Sequence, residues 1–153
     1  MPGYGIETAI TEEMVSWEAV VAKIETSRNY WISTASTQGK PHAAPVWGLW
    51  FEGEFYFSTD PTSRKGRNIV ANPEVVVHLE SGDDVVILEG TLEPVPDRAM
   101  LTGRFADAYE AKYHFRVDFA NPGFAVYRLR PRVAFAWGEQ DFPKSATRWR
   151  FQE

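Results

Sequence analysis

The spacing of hydrophobic residues changes several times along the chain, and each change predicts a different element. Between Trp17 and Ser27 apolar residues recur every three or four positions behind Ser16, which predicts a helix capped by that serine. From residue 30 apolar and β-branched residues come in short runs separated by Gly-bearing turns, which is typical of strands. The lead-in, residues 1–15, is predicted to be irregular, with Ile6 to Val15 able to pack on the body.

Three strands are predicted in the first half of the chain, at residues 30–36, 41–50 and 54–59. The turns between them are short, so we expect an antiparallel meander with the second strand beside the third. Pro41 and Pro45 have no N–H to give to a ladder, so the second strand should start at an edge or be bulged near Pro45.

The second half predicts more strands and two helices. A short helix after Asp60-Pro61 should stop at Asn72-Pro73, and a hairpin follows at residues 74–81 and 85–95. A helix over 98–113 precedes a final strand pair at 124–130 and 132–139. Seven short strands must hide their edges, which predicts a mainly β (α+β) fold: a small closed or split antiparallel β-barrel with peripheral helices, as a single domain over 1–153.

Composition narrows the class of protein. The net charge of -5 argues against a general nucleic-acid or membrane binder, and the absence of cysteine excludes thiol catalysis and disulfides. The chain has no leader pattern and no apolar run of membrane-spanning length. We therefore expect a cytoplasmic protein with no nucleic-acid or membrane partner.

The short helix carries the clearest chemical signal. Ser63, Arg64, Lys65 and Arg67 stand in its first turns, although cations are unfavourable at the positive end of a helix dipole. A phosphate bound to the free N–H groups there would offset that mismatch. Solvated surface cations are the alternative interpretation.

A second signal is the sequence Pro45-Val46-Trp47-Gly48, which sets a flat ring and a bare backbone at the expected bulge. Together with the helix start it suits a planar ligand with a phosphate tail. The three histidines are far apart and share no metal-ligand spacing, so no metal site is predicted. No catalytic residue is assigned.

These residues resemble a known family. The segment from Asn29 to Val95, and most specifically the strand–Ser63-Arg64-Lys65–helix–Asn72-Pro73 sequence, is similar to the pyridoxamine-5'-phosphate-oxidase-like family of flavin and deazaflavin oxidoreductases. The resemblance implies an FMN-binding split barrel and a homodimer with cofactor at the interface. It also implies cofactor-binding residues, which we take as Pro45, Val46, Trp47, Thr59, Ser63, Arg64, Lys65 and Arg67.

The branch of the family is less closely defined. His78-Leu79-Glu80-Ser81 and the tail from Thr147 to Phe151 depart from the pattern of true pyridoxamine phosphate oxidases. The short form is more similar to the coenzyme F420 branch or to FMN-binding relatives. The resemblance then implies hydride transfer to a small electron-poor organic substrate, with F420 slightly preferred over FMN. A non-catalytic flavin or deazaflavin carrier or sensor is the alternative. Arg148 and Arg150 are candidates either for the longer F420 tail or for a dimer interface.

Overall fold

The computed structural model of the chain describes residues 15–142 and 144–151. The predicted lead-in therefore lies, except for Val15, outside the described residues. The helices are α1 (Trp17–Thr26), α2 (Arg64–Ala71) and α3 (Arg104–Tyr113), with a short 3-10 helix at Arg98–Leu101. The strands are β1 (Tyr30–Ala35), β2 (Pro41–Val46), β3 (Leu49–Phe51), β4 (Glu54–Thr59), β5 (Glu74–His78), β6 (Asp84–Pro94), β7 (Ala125–Gly138) and β8 (Thr147–Arg150).

These strands form one antiparallel sheet in the order β2-β1-β5-β6-β7-β4-β3, with β8 added alongside β7. The two ends of this order, β2 and β3, are joined in the chain by Trp47 and Gly48 alone. A link of that length spans at most about 11 Å between Val46 and Leu49, so the sheet must curl until its opposite edges meet. The expected split antiparallel barrel with outer helices is confirmed.

The predicted meander is wrong in its connections. The segment 41–50 is not one strand, because it breaks at Trp47–Gly48 into β2, which pairs with β1, and β3, which pairs with β4. Consequently β2 is an edge strand, as its prolines required, and it is not hydrogen-bonded to β4. The predicted final pair is instead one long strand, β7, with an irregular register opposite Glu89 and Gly90. With β8 from the tail, the described sheet has eight strands.

The helices match the prediction apart from one break. Ser16 caps α1 by accepting a hydrogen bond from the N–H of Ala19. The segment 98–113 is divided into the 3-10 helix and α3, because Gly103 adopts a φ of +68° between them. No helix in the described ranges is long and apolar enough to cross a membrane.

Two hydrophobic clusters hold the sheet in shape. The larger one lies inside the curled sheet and under α1, and its members include Val20, Ile24, Ile32, Phe55, Phe57, Leu88 and Leu129. The smaller one packs α3 against the other face of β4 and β7, through Phe105, Tyr109, Tyr113, Tyr56, Phe119 and Val126. Many aromatic side chains are thus part of the core, and α3 is placed beside the link between the two edges of the sheet.

Candidate functional site

The strand-to-helix turn after β4 is closed by its own side chains. Asp60 accepts hydrogen bonds from the N–H of Thr62 at 2.8 Å and from the hydroxyl of Thr62 at 2.7 Å, which is an Asx turn. Ser63 then caps α2, because its Oγ accepts from the N–H of Gly66 at 3.0 Å. The helix start predicted from the sequence is therefore present.

Gly66 lets this turn fold back on the helix. A Cβ atom at Gly66 would lie 2.4 Å from the carbonyl oxygen of Asp60 and 2.9 Å from the Cα of Pro61. Only glycine fits such close backbone contact without a shift. The first two N–H groups of α2, those of Arg64 and Lys65, have no acceptor within the helix and so are available to an anion.

The Ser63 hydroxyl is already engaged. Its oxygen lies 2.7 Å from the carbonyl oxygen of Asp60, to which it donates, and 3.3 Å from the hydroxyl of Thr59. Ser63 thus shapes the helix start as a cap, and the donors left for an anion are the N–H groups of Arg64 and Lys65 and the ammonium of Lys65.

A cavity of about 330 Å³ opens at this turn. It is lined by Pro45, Val46, Trp47, Ser58, Thr59, Asp60, Ser63, Lys65, Tyr109 and Phe124. Although β2 and β4 are not paired, the curl of the sheet brings their ends together here. Six of the eight residues predicted to bind a cofactor therefore line one cavity.

Arg64 and Arg67 do not line the cavity. Both are exposed, and the guanidinium of Arg64 lies 3.5 Å from the carbonyl oxygen of Pro41, at the start of β2. The arginines at 148 and 150 are exposed on β8, which pairs with β7 from Val133 to Ala136. That is roughly 25 Å along β7 from the cavity, so within one chain they do not extend the anion site.

The two ends of the cavity differ in charge. Thr62 holds the pKa of the Asp60 carboxyl below its usual value, mainly by its hydroxyl and then by its N–H, and Lys65 adds a smaller attraction. Asp60 is therefore ionised at neutral pH beside Lys65, and its oxygen Oδ1 is held by Thr62. The opposite end is apolar and aromatic.

Sequence reasoning missed two members of that aromatic end, Tyr109 and Phe124. Helical spacing in the predicted helix 98–113 accounts for Tyr109 as a packing residue, and it is 7% exposed, in contact with Tyr113 and Phe119. Burial, with a smaller effect of Tyr113, raises the pKa of Tyr109 to about 12. Phe124 stands in a loop held by Arg98, whose guanidinium donates to the carbonyl oxygens of Asn121 and Phe124. The sequence pattern places Phe124 at the start of the predicted final strand, but β7 begins one residue later, at Ala125, so Phe124 lies outside the sheet and at the cavity.

The histidines form no metal centre in the described ranges. His78 lies in β5 and its Nδ1 donates to the carbonyl oxygen of Leu79 at 2.7 Å. Among residues 15–142 and 144–151 no group of three His, Cys, Asp or Glu side chains has the geometry of a metal site.

A second cavity, of about 560 Å³, lies at the opposite end of β4. Its lining includes Trp17, Trp50, Glu54, Arg132 and Phe151, and it contains none of the residues predicted to bind a cofactor. Size alone would favour this second cavity as the ligand site. The smaller cavity is the better candidate, because it brings together a helix N-terminus, a lysine and an aromatic wall.

Comparison with known proteins gives the family. The family model described as pyridoxamine 5'-phosphate oxidase matches residues 16–138. No curated protein matches the chain.

Solved structures share the fold. The conserved hypothetical protein Rv2991 from Mycobacterium tuberculosis is 25% identical with a TM-score of 0.69, over 87% of this chain and 91% of that one. General stress protein 26 from Bacillus anthracis is 20% identical with a TM-score of 0.67, over 88% and 97%. A protein named as an F420 reductase is 22% identical with a TM-score of 0.56, over 73% and 93%. The chain therefore belongs to the pyridoxamine 5'-phosphate oxidase-like family of split β-barrel proteins.

Proposed function

We propose that the protein is an oxidoreductase that binds coenzyme F420 and transfers hydride to a small electron-poor organic substrate. The observation that carries the proposal is the two-ended cavity. One end offers free N–H groups and Lys65 at the start of α2, and the other offers Pro45, Val46 and Trp47 as a flat apolar wall. A phosphate at the first end places a planar ring against the second.

The phosphate cradle, by which we mean the turn 60–63 and the first turn of α2 up to Gly66, fits a phosphorylated cofactor. Gly66 removes the side chain that would fill the turn, and the cations at Arg64, Lys65 and Arg67 lie at a helix end where an anion offsets them. When bound, a reduced deazaflavin supplies the hydride, and the chain supplies orientation and an apolar wall. Thr59 borders the cradle through its 3.3 Å contact with Ser63.

One feature favours F420, with FMN as the alternative: a structural neighbour is named as an F420 reductase. The departure of the chain from the strand and tail patterns of true pyridoxamine phosphate oxidases argues against vitamin B6 oxidation and is compatible with either cofactor. FMN would use the same cradle, since it too joins a phosphate to a tricyclic ring.

The cavity also favours a homodimer. Its volume is at the lower end of the range of ligand sites, about 300–1,000 Å³, so a second chain would complete the enclosure. The edge strand β2 beside it exposes Pro41, Ala43 and Pro45. The two prolines have no N–H to give to a further strand, so this edge offers an apolar face to a second chain. Light scattering of the purified protein, with and without cofactor, measures the assembly.

The test of the proposal is cofactor binding by the purified protein. Absorbance and fluorescence titrations with F420 and with FMN should show saturable binding of at least one, with F420 the tighter. Lys65→Ala should weaken it by roughly 10-fold to 150-fold, since a hydrogen bond to a charged group contributes about 1.5–3 kcal/mol. Lys23→Ala is the matched control, because Lys23 is paired with Asp84 far from the cavity. Equal affinity of wild type and Lys65→Ala would remove the phosphate assignment.

Turnover separates an enzyme from a carrier or sensor. Reduced cofactor is mixed with protein and with enones, quinones or nitroaromatic compounds, and cofactor absorbance is followed. Oxidation that depends on both protein and acceptor supports the reductase. Tight binding with no oxidation on any acceptor would favour the non-catalytic alternative.

A further inference from the structure

The link between β2 and β3 leaves two residues, Trp47 and Gly48, without a sheet partner, and the second of them is buried. β2 ends at Val46 and β3 begins at Leu49, so the backbone groups of Gly48 are outside both ladders, although Gly48 is buried. Buried backbone N–H and C=O groups require hydrogen-bond partners. The last two residues of α3 supply them.

Tyr113 binds both polar groups of Gly48. Its hydroxyl accepts a hydrogen bond from the N–H of Gly48 at 2.9 Å, and its oxygen lies 2.8 Å from the carbonyl oxygen of Gly48. The carbonyl oxygen of Arg28 lies at 2.7 Å, so the single hydroxyl proton is shared between two acceptors. Tyr113 thus takes the place of a neighbouring strand.

Lys112 adds a second attachment. Its ammonium donates to the carbonyl oxygen of Gly48 at 3.1 Å and to the hydroxyl of Tyr30 at 2.6 Å. The hydroxyl of Tyr30 in turn donates to the carbonyl oxygen of Ile24 in α1. The Trp47–Gly48 corner, by which we mean the link between β2 and β3, is therefore attached to α3, β1 and α1 together.

The rings fix the same corner. Tyr113 stacks on Trp47 with centroids 4.5 Å apart and planes at 8°, and the guanidinium of Arg28 lies 5.3 Å from the Trp47 centroid. No side chain fits at Gly48 without a shift of its neighbours, because a Cβ there would lie 2.4 Å from the ring of Phe55. Since Pro45, Val46 and Trp47 line the cavity, the position of its apolar wall depends on this attachment.

We propose that Tyr113, assisted by Lys112, is a positioning residue that holds the Trp47–Gly48 corner and thereby sets the apolar wall of the cavity before any ligand binds. Its effect on cofactor affinity rests on the proposed function, whereas its effect on the corner does not. The residue acts through the wall and not by contact with the reacting atoms.

Hydrogen exchange of the ligand-free protein tests the corner directly. Tyr113→Phe keeps the ring and removes the hydroxyl, so the Gly48 amide should exchange at least about tenfold faster, as expected when an amide loses its acceptor. Amides of β6 and β7 should keep their rates. Tyr127→Phe, which removes another buried hydroxyl, is the matched control and should leave Gly48 unchanged. An unchanged Gly48 rate in Tyr113→Phe would overturn the proposal.

Affinity for phosphate-bearing and phosphate-free ligands tests the wall. FMN is compared with riboflavin, and F420 with its phosphate-free deazaflavin core. Tyr113→Phe should weaken both members of a pair by a similar factor, about fivefold to tenfold, because the cradle is intact. Lys65→Ala should instead reduce the difference in affinity between the phosphate-bearing and the phosphate-free member of each pair. A loss in Tyr113→Phe confined to the phosphate-bearing ligand would overturn the proposal.

Further variants separate positioning from stability. Tyr113→Leu should bind the cofactor more weakly than Tyr113→Phe does, since the stack on Trp47 is lost as well. Lys112→Met should show part of the increase in Gly48 amide exchange that Tyr113→Phe shows. If wild type binds neither cofactor, the proposed function fails, and the Gly48 exchange still decides the role of Tyr113.

Discussion

Thr59 and Ser63 are joined by a 3.3 Å contact between their hydroxyl oxygens, across the turn that separates β4 from α2. The contact makes the end of the strand and the start of the helix one unit. Ser63 caps the helix in the same arrangement, so a single side chain contributes to stability and to the shape of the cradle.

Replacement of this cap should affect stability and ligand binding together. Ser63→Ala should lower the free energy of unfolding by about 1 kcal/mol, the usual contribution of an N-cap, and should weaken cofactor binding by distorting the helix start. Ser16→Ala removes the cap of α1 and is the matched control. Urea unfolding should show similar losses, with cofactor affinity reduced only in Ser63→Ala. Equal affinities in the two variants would argue against the cradle.

Gly66 is expected to tolerate no larger side chain. Alanine would favour a helix by about 1 kcal/mol over glycine, but its Cβ must push back the carbonyl of Asp60, and overpacking costs about 1–3 kcal/mol. Because the atoms that the Cβ meets are backbone atoms, the upper half of that cost, about 2–3 kcal/mol, applies. We therefore expect Gly66→Ala to be destabilised by about 1–2 kcal/mol and to bind cofactor less tightly. Gly82→Ala is the control, because a Cβ at Gly82 meets no atom within 4 Å. A Gly66→Ala protein as stable as Gly82→Ala would contradict the close approach.

The cradle could be predicted from the sequence because its determinants are local. Ser63, Lys65 and the Asn72-Pro73 stop lie within ten residues of one another, and a cap and a helix stop depend on immediate neighbours. Pro45, Val46 and Trp47 line the cavity, but the sequence does not indicate what surrounds them. The break at Trp47–Gly48 was predicted only as a bulge.

The misses share a physical cause. The break is stabilised by Tyr113, 65 residues away, and Tyr109 reaches the cavity only because α3 packs across the curled sheet. No periodicity near residue 48 or 109 reports such contacts, since hydrophobic spacing gives the face of an element and not its partner. Long-range packing thus decided the strand connections that local patterns predicted wrongly.

A buried pair should anchor α2 to the sheet. The side-chain amide of Asn68 donates to the hydroxyl of Thr34 at 3.1 Å, and both residues are more than nine-tenths buried. Thr34→Val keeps the shape and leaves that N–H without its acceptor, so the free energy of unfolding should fall by about 1–3 kcal/mol. Ser33→Ala, at the neighbouring half-buried position, is the control. If unfolding midpoints of the two variants agree, the pair does not anchor the helix.

Lys112 should make stability depend on pH. Burial lowers the pKa of Lys112 from 10.5 to about 8, and Glu25 opposes this only in part. Between these values the unfolded chain binds the proton more than the folded chain does, so the free energy of unfolding should rise as pH increases from about 8 towards 10. Measurements should stop near pH 9.5, because burial raises the pKa of the nearby Tyr109, and tyrosine ionisation in the unfolded chain then acts in the opposite direction.

Urea unfolding at intervals from pH 7 to 9.5 measures the effect as a difference between wild type and Lys112→Met. The free energy of unfolding of wild type should increase relative to that of Lys112→Met as pH rises. At the lower pH the folded wild type must hold a charged ammonium half-buried among Tyr30, Tyr113 and Gly48, and at the higher pH that side chain is neutral. Direct titration of the Lys112 side chain by nuclear magnetic resonance supplies the control and should give a midpoint near 8. A midpoint near 10.5 together with a flat difference curve would show that the lysine reaches water, and α3 would then be attached to Gly48 by Tyr113 without an additional buried charge.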